Sequence, residues 1–185
     1  MDSDLVIYDI KLNRGGFWLA TGINISGKLY SVGDNISIYV SNENRITKSK
    51  NYTTEYARLD AVTIHDNVVK LLVTWYYQRE NVSKIKNESE CKLDGWKELY
   101  LSNITDLIPP LSVIQQQKIY HFTEAEKISK SDVSVTELLI DKQKFLYYRC
   151  SYDGNKTLSL LSKQIIPTMI HSWEKWFNGI KKTMI

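Results

Sequence analysis

Two alternating runs of residues lie only three positions apart in this chain, and they constrain its fold more than any other feature. Tyr56 to Ile64 (YARLDAVTI) and Val68 to Tyr77 (VVKLLVTWYY) are rich in β-branched and aromatic residues, and His65-Asp66-Asn67 joins them. Side chains on a strand point alternately to opposite faces, so such runs bury one face of a sheet, and a connection this short forces antiparallel pairing. The spacing predicts a β-hairpin. Upstream, Tyr30 to Val40 (YSVGDNISIYV) puts Ile36, Ile38 and Val40 on one side at period two, after a turn at Gly33-Asp34. Before it, residues 1–29 read as strand-like pieces broken at Gly15-Gly16 and Gly27. Polar stretches at Ser41–Thr54 and Glu80–Gly95 read as loops. Further strands are expected at Lys97–Ser102, at Val113–Phe122 after the Pro109-Pro110 break, and at Lys144–Tyr152, with a loop or short helix over Thr123–Leu139. Many short strands with helix only late argue a small barrel or sandwich.

The last stretch has another period. After Pro167, a residue suited to a first helical turn, Met169, Ile170, Trp173, Trp176, Phe177, Ile180 and Met184 recur at steps of three and four. At roughly 100° per residue they fall within an arc of about 120°, which predicts an amphipathic helix over 166–185. It is expected to pack on the domain or to meet a protein partner. The whole is read as an N-terminal strand-like extension (1–29) packing on a main domain (30–165), followed by this helix (166–185).

Composition narrows the function classes. A chain of 185 residues is about one domain and can bury a sizeable core without staples. Its formal net charge of +3 is too mild to mark a nucleic-acid protein, so DNA contact is expected to be secondary at most. Cys91 and Cys150 make neither a zinc set nor a disulfide framework. No apolar run approaches a membrane span, and Met1-Asp2-Ser3-Asp4 opens no signal peptide. A reduced, intracellular, soluble protein is expected. His65, His121 and His171 stand far apart outside any ligand spacing, and there is no nucleophile elbow or phosphate-cradling loop. Catalysis, a metal and a cofactor are therefore not expected.

The aromatic residues carry more information. Period two puts Trp75 and Tyr77 on one face of their strand and Tyr76 on the other. If the two runs pair as a hairpin, Tyr56 lies near the same end of the sheet. Three rings with Glu80 close by in sequence would suit a quaternary ammonium, which is attracted to aromatic faces but donates no hydrogen bond. The competing reading is three ordinary core aromatics.

From Tyr30 to about Leu160 the chain resembles a BAH (bromo-adjacent homology) domain. Tyr30-Ser31-Val32-Gly33-Asp34 resembles that family's opening element, and Tyr56-Ala57-Arg58-Leu59 its next strand. Val73-Thr74-Trp75-Tyr76-Tyr77-Gln78-Arg79-Glu80 is similar to its most specific signature. Glu98-Leu99-Tyr100-Leu101-Ser102 with Asp106-Leu107-Ile108-Pro109 resembles the station that follows, and Tyr148-Arg149-Cys150-Ser151-Tyr152 a late strand of some members. The resemblance implies a mainly β protein, a distorted β-barrel with peripheral short helices, here followed by the C-terminal amphipathic helix. It also implies a nuclear chromatin module, associated with gene silencing, rather than an enzyme. In the branch reading the Polycomb mark on the histone H3 tail, the positions holding trimethyl-lysine fall on Tyr56, Trp75 and Tyr77, with Glu80, Asn103 and Asp106 as rim or peptide contacts. A related branch takes its second ring three positions after the tryptophan, where this chain has Gln78. Gln78-Arg79 also stands where Arg-Pro is usual, and Ile104 where readers of the Polycomb mark commonly carry a histidine. The alternative is a nucleosome- or protein-binding scaffold without methyl-lysine readout, as in origin recognition complex or silencing-protein BAH domains. It would lean on Arg45, Lys48, Lys50, Lys84, Lys86, Lys181 and Lys182.

Overall fold

The computed structural model describes residues 5–14, 17–43, 50–78, 96–130, 145–152 and 158–160. Glu80, the loop 80–95 and the expected C-terminal helix 166–185 lie outside the described residues. The described chain is mainly β, with eleven strands and one α-helix. It divides into two compact units: described residues up to Thr74 with Thr105–Gln116, and Trp75–Ile104 with those from Gln117 onward.

The first unit holds β1 (Leu5–Arg14), β2 (Phe17–Ile25), β3 (Lys28–Ser31), β4 (Asn35–Glu43) and β5 (Lys50–His65). It also holds β8 (Val113–Gln116), most of β6 (Val68–Gln78) and the end of β7 (Trp96–Ile108). β2 pairs antiparallel with β1, β3 and β5, and β4 lies between β5 and β8. The hairpin expected between residues 56 and 77 is present as β5 and β6. Its turn residues Asp66 and Asn67 have φ of 48° and 60°, the left-handed pair that a two-residue hairpin turn demands and that Asp and Asn tolerate.

The Gly33-Asp34 turn positions the strand that follows. Gly33, at φ 98°, donates its N–H to the Leu59 carbonyl at 2.8 Å, and the Leu59 N–H returns to the Asp34 carbonyl at 2.8 Å. The Asp34 carboxylate meanwhile accepts from the Ser31 N–H at 2.8 Å. A side chain at Gly33 would be strained in this conformation, so the glycine is required here. The turn clamps β5 three residues beyond Tyr56.

On β5, Ala57, Leu59 and Ala61 are buried at period two, as are Ile36 and Ile38 on β4. Leu19, Ala61 and Leu72 pack together with Leu107 against them. A fully buried leucine contributes about 2 to 3 kcal/mol by leaving water, so these positions hold the strands in register. One charge is enclosed with them. Asp60 is 3% exposed, and its carboxylate accepts from Arg58 Nε at 2.8 Å and from the Thr74 hydroxyl.

The second unit holds the end of β6, most of β7, β9 (Ile119–His121), α1 (Phe122–Lys130), β10 (Phe145–Tyr152) and β11 (Leu158–Leu160). β10 runs parallel to both β7 and β9 and antiparallel to β11. Its core is aromatic: Tyr76 and Tyr148 lie 5.7 Å apart between centroids, and Phe122 and Tyr147 5.9 Å. His121 packs edge-on to Tyr148 at 5.4 Å, with Nδ1 2.9 Å from the Thr123 hydroxyl at the start of α1.

Several boundaries differ from the sequence reading. Ser41–Thr54 is not all loop, because β4 continues to Glu43 and β5 starts at Lys50, with Ser41 opposite Tyr52 and Glu43 opposite Lys50. The ladder uses backbone groups, so polar residues can extend a hairpin stem. β7 likewise runs on through Ser102–Ile108. The single strand expected over Val113–Phe122 is instead β8 and β9, broken at Gln117-Lys118, with Phe122 opening α1.

Candidate functional site

Tyr56 stands on β5 directly opposite Ser37 of β4. It is half-buried, while its neighbour Ala57 is 0% exposed on the opposite, core-facing side. Burial raises the phenol pKa above its ordinary 10.0, and the Glu55 carboxylate adds to the rise. Burial and the Asp34 carboxylate act likewise on Tyr30. Both phenols are thus neutral at pH 7, and the fold disfavours their ionised form.

The sign of the pH effect follows. A pKa raised on folding contributes stability that is fully present below the unfolded value and lost as pH rises through the folded one. The denaturation midpoint is therefore expected to fall above about pH 10. An absorbance titration of tyrosinate should show late-ionising phenols in the folded protein, one fewer in Tyr56→Phe.

On β6, Trp75 and Tyr77 are half-buried and share one face of the strand, whereas Tyr76 between them is 3% exposed and packs on Tyr148. Tyr76 is thus enclosed and Trp75 and Tyr77 are only partly covered, whereas Leu71 and Val73, further back on their face, are fully buried. Tyr56 belongs to the first unit, and Trp75 and Tyr77 to the second. Gln78, at the other branch's ring position, accepts a hydrogen bond from Lys97 Nζ on β7.

Asn103 and Asp106 are both exposed on β7. The Asp106 carboxylate accepts the Leu107 N–H at 2.7 Å, a local bond that leaves its second oxygen open to solvent. Ile104, where a histidine is common, is exposed, and its N–H donates to the buried Ser102 hydroxyl at 3.1 Å. Glu80 lies outside the described residues.

Two aromatic side chains escaped the sequence reading. Tyr39 on β4 and Tyr52 on β5 are 56% and 64% exposed, with ring centroids 6.4 Å apart in an edge-to-face arrangement. Tyr39 was visible as the odd member between Ile38 and Val40, but Tyr52 fell in a stretch read as loop. Among the described residues, no group of three or more His, Cys, Asp and Glu is placed to hold a metal ion, and no helix is long and apolar enough to cross a membrane.

No family model matches the sequence, and no curated protein matches it significantly. Solved structures do match, 73 chains in all. Among them is the yeast Rsc2 BAH domain, with a TM-score of 0.51 and 12% identity, covering 77% of this chain and 54% of that one. The chain thus has a BAH-like fold and spans about half the length of the structure it matches.

Proposed function

We propose that this chain is a non-catalytic chromatin reader that works in the nucleus and binds a trimethylated lysine of a histone tail. The Polycomb repressive mark on histone H3 is its first candidate. Tyr56, Trp75 and Tyr77 supply the aromatic faces, with Glu80, Asn103 and Asp106 at the rim or along the peptide. The observation that carries this reading is the half-burial of all three rings beside strand neighbours, Ala57 and Tyr76, that are buried. A core aromatic would be enclosed and a stray surface aromatic largely free. These three are held by the fold yet keep ring surface for a ligand.

The chemistry suits a permanent cation. A trimethylammonium group is drawn to the negative potential of a ring face by roughly 2 kcal/mol or more when desolvated, and it has no N–H that would need an acceptor. An unmodified ammonium is compact and strongly hydrated and would lose hydrogen bonds on entering. Neutral phenol rings fit this role, and the pKa direction at Tyr56 keeps that ring neutral.

Titration calorimetry of the protein with H3-tail peptides, trimethylated and unmodified at the same lysine, tests the reading. The trimethylated peptide should bind with a Kd on the order of micromolar, about −8 kcal/mol, and the unmodified one at least tenfold more weakly. Equal affinity for both overturns it. Repeating the titration in rising salt separates this reading from a broad electrostatic scaffold, whose affinity would fall steeply.

A further inference from the structure

Tyr39 and Tyr52 share a face with Tyr56. The β4–β5 register sets Ser37 opposite Tyr56, Tyr39 opposite Thr54 and Ser41 opposite Tyr52, and directly opposed residues of an antiparallel pair point the same way. Tyr56, Tyr39 and Tyr52 therefore form a stripe on the side of the hairpin away from Ala57 and Leu59. Tyr39 and Tyr52 are each more than half exposed, and the positions between the rings carry only Ser41 and Thr54. These small side chains leave the ring faces uncovered.

We infer that Tyr39 and Tyr52 are a second aromatic platform that receives an arginine or lysine side chain of the same peptide, two to four residues from the methylated lysine. This rests on the reading of Tyr56 as part of the lysine site. The spacing supports it: at about 3.4 Å per residue, Tyr52 lies roughly 14 Å along β5 from Tyr56, a span covered by about four residues of extended peptide. The electrostatics specify a cation. Two phenol rings present π-faces of negative potential, and Arg58, on the same face of β5, is held by the buried Asp60 carboxylate at 2.8 Å. In the edge-to-face pair the two ring planes stand steeply to each other, so a planar guanidinium can stack on the open face of one ring.

The test uses the full chain and two trimethyl-lysine peptides, one with an arginine two to four residues from the modified lysine and one with alanine there. Wild type should bind the arginine peptide about fivefold more tightly. Tyr39→Leu/Tyr52→Leu keeps apolar area without π-faces and should bind both peptides at the weaker level, whereas Tyr39→Phe/Tyr52→Phe should keep the difference. Tyr39→Ala/Tyr52→Ala, checked for folding by thermal melt, should behave as the leucine variant. A leucine variant that still prefers the arginine peptide fivefold overturns the platform, as does a loss equal for both peptides. Failure of the lysine site reads out separately, as equal binding of trimethylated and unmodified peptides by wild type.

Discussion

Trp75→Ala is expected to weaken binding of the trimethylated peptide by about a hundredfold, equivalent to about 2.7 kcal/mol, while binding of the unmodified peptide stays where it was. An indole is the strongest of the aromatic cation binders, and Trp75 stands on the side of β6 where rings are only half-buried. The neighbouring Tyr76, packed on Tyr148, carries the core role at this end of the strand. The far-ultraviolet circular dichroism and thermal midpoint of Trp75→Ala should therefore stay close to wild type. Trp75→Phe keeps a ring face and should recover part of the loss. A variant that melts much earlier than wild type would show that Trp75 is a core residue, and the binding result would lose its meaning as a test of the site. Calorimetry alongside a thermal melt decides between the two.

Asp60→Ala is expected to cost about 3 to 5 kcal/mol of folding stability. Asp60 is enclosed, and its two carboxylate oxygens accept from Arg58 and Thr74. Removing the acid leaves the Arg58 guanidinium, itself largely covered, beside a cavity with no counter-charge. Removing only one donor is milder, so Thr74→Val should cost on the order of 1 kcal/mol. Urea denaturation of the three proteins, compared at constant m-value, checks both figures. An Asp60→Ala variant within 1 kcal/mol of wild type would mean that the carboxylate is replaced by solvent rather than missed.

The parts of the fold that could be read in advance are those where one side chain dictates backbone or burial. The hairpin at Asp66-Asn67 and the turn at Gly33 follow from residues that accept a left-handed conformation, and the burial of Ala57, Leu59 and Ala61 follows from the alternation of the run. The polar stem at Ser41–Thr54 was not legible, because the Glu43–Lys50 end of the ladder is held by peptide groups that every residue possesses. Nor was the parallel course of β10 along β7 and β9. Period two is the same in either direction, and the partners are separated by long stretches of chain. At the site, the alternation of Trp75 and Tyr77 about Tyr76 could be read directly, and Tyr56 entered through its place in the hairpin. Tyr39 and Tyr52 could not be grouped with it without the register, because a shift of one residue would have sent them to the core face. His121 had no sequence signal separating a ligand from a packing residue. Its contacts with Tyr148 and Thr123 are visible only in the structure.

The left-handed backbone at Asp9 bears on how β1 would meet another chain. β1 pairs only with β2 among the described strands, and Val6, Tyr8 and Ile10 are all exposed along it. A straight border strand with that composition is a template for intermolecular β-pairing and, at high concentration, for fibres. Asp9 instead adopts φ 56°, its carboxylate is tethered by the Thr21 hydroxyl at 2.9 Å, and the pairing slips between Ile10 and Leu12. The course of β1 is thereby irregular near its middle, where it bears a negative charge. An incoming strand would meet an irregular template beside the exposed valine, tyrosine and isoleucine.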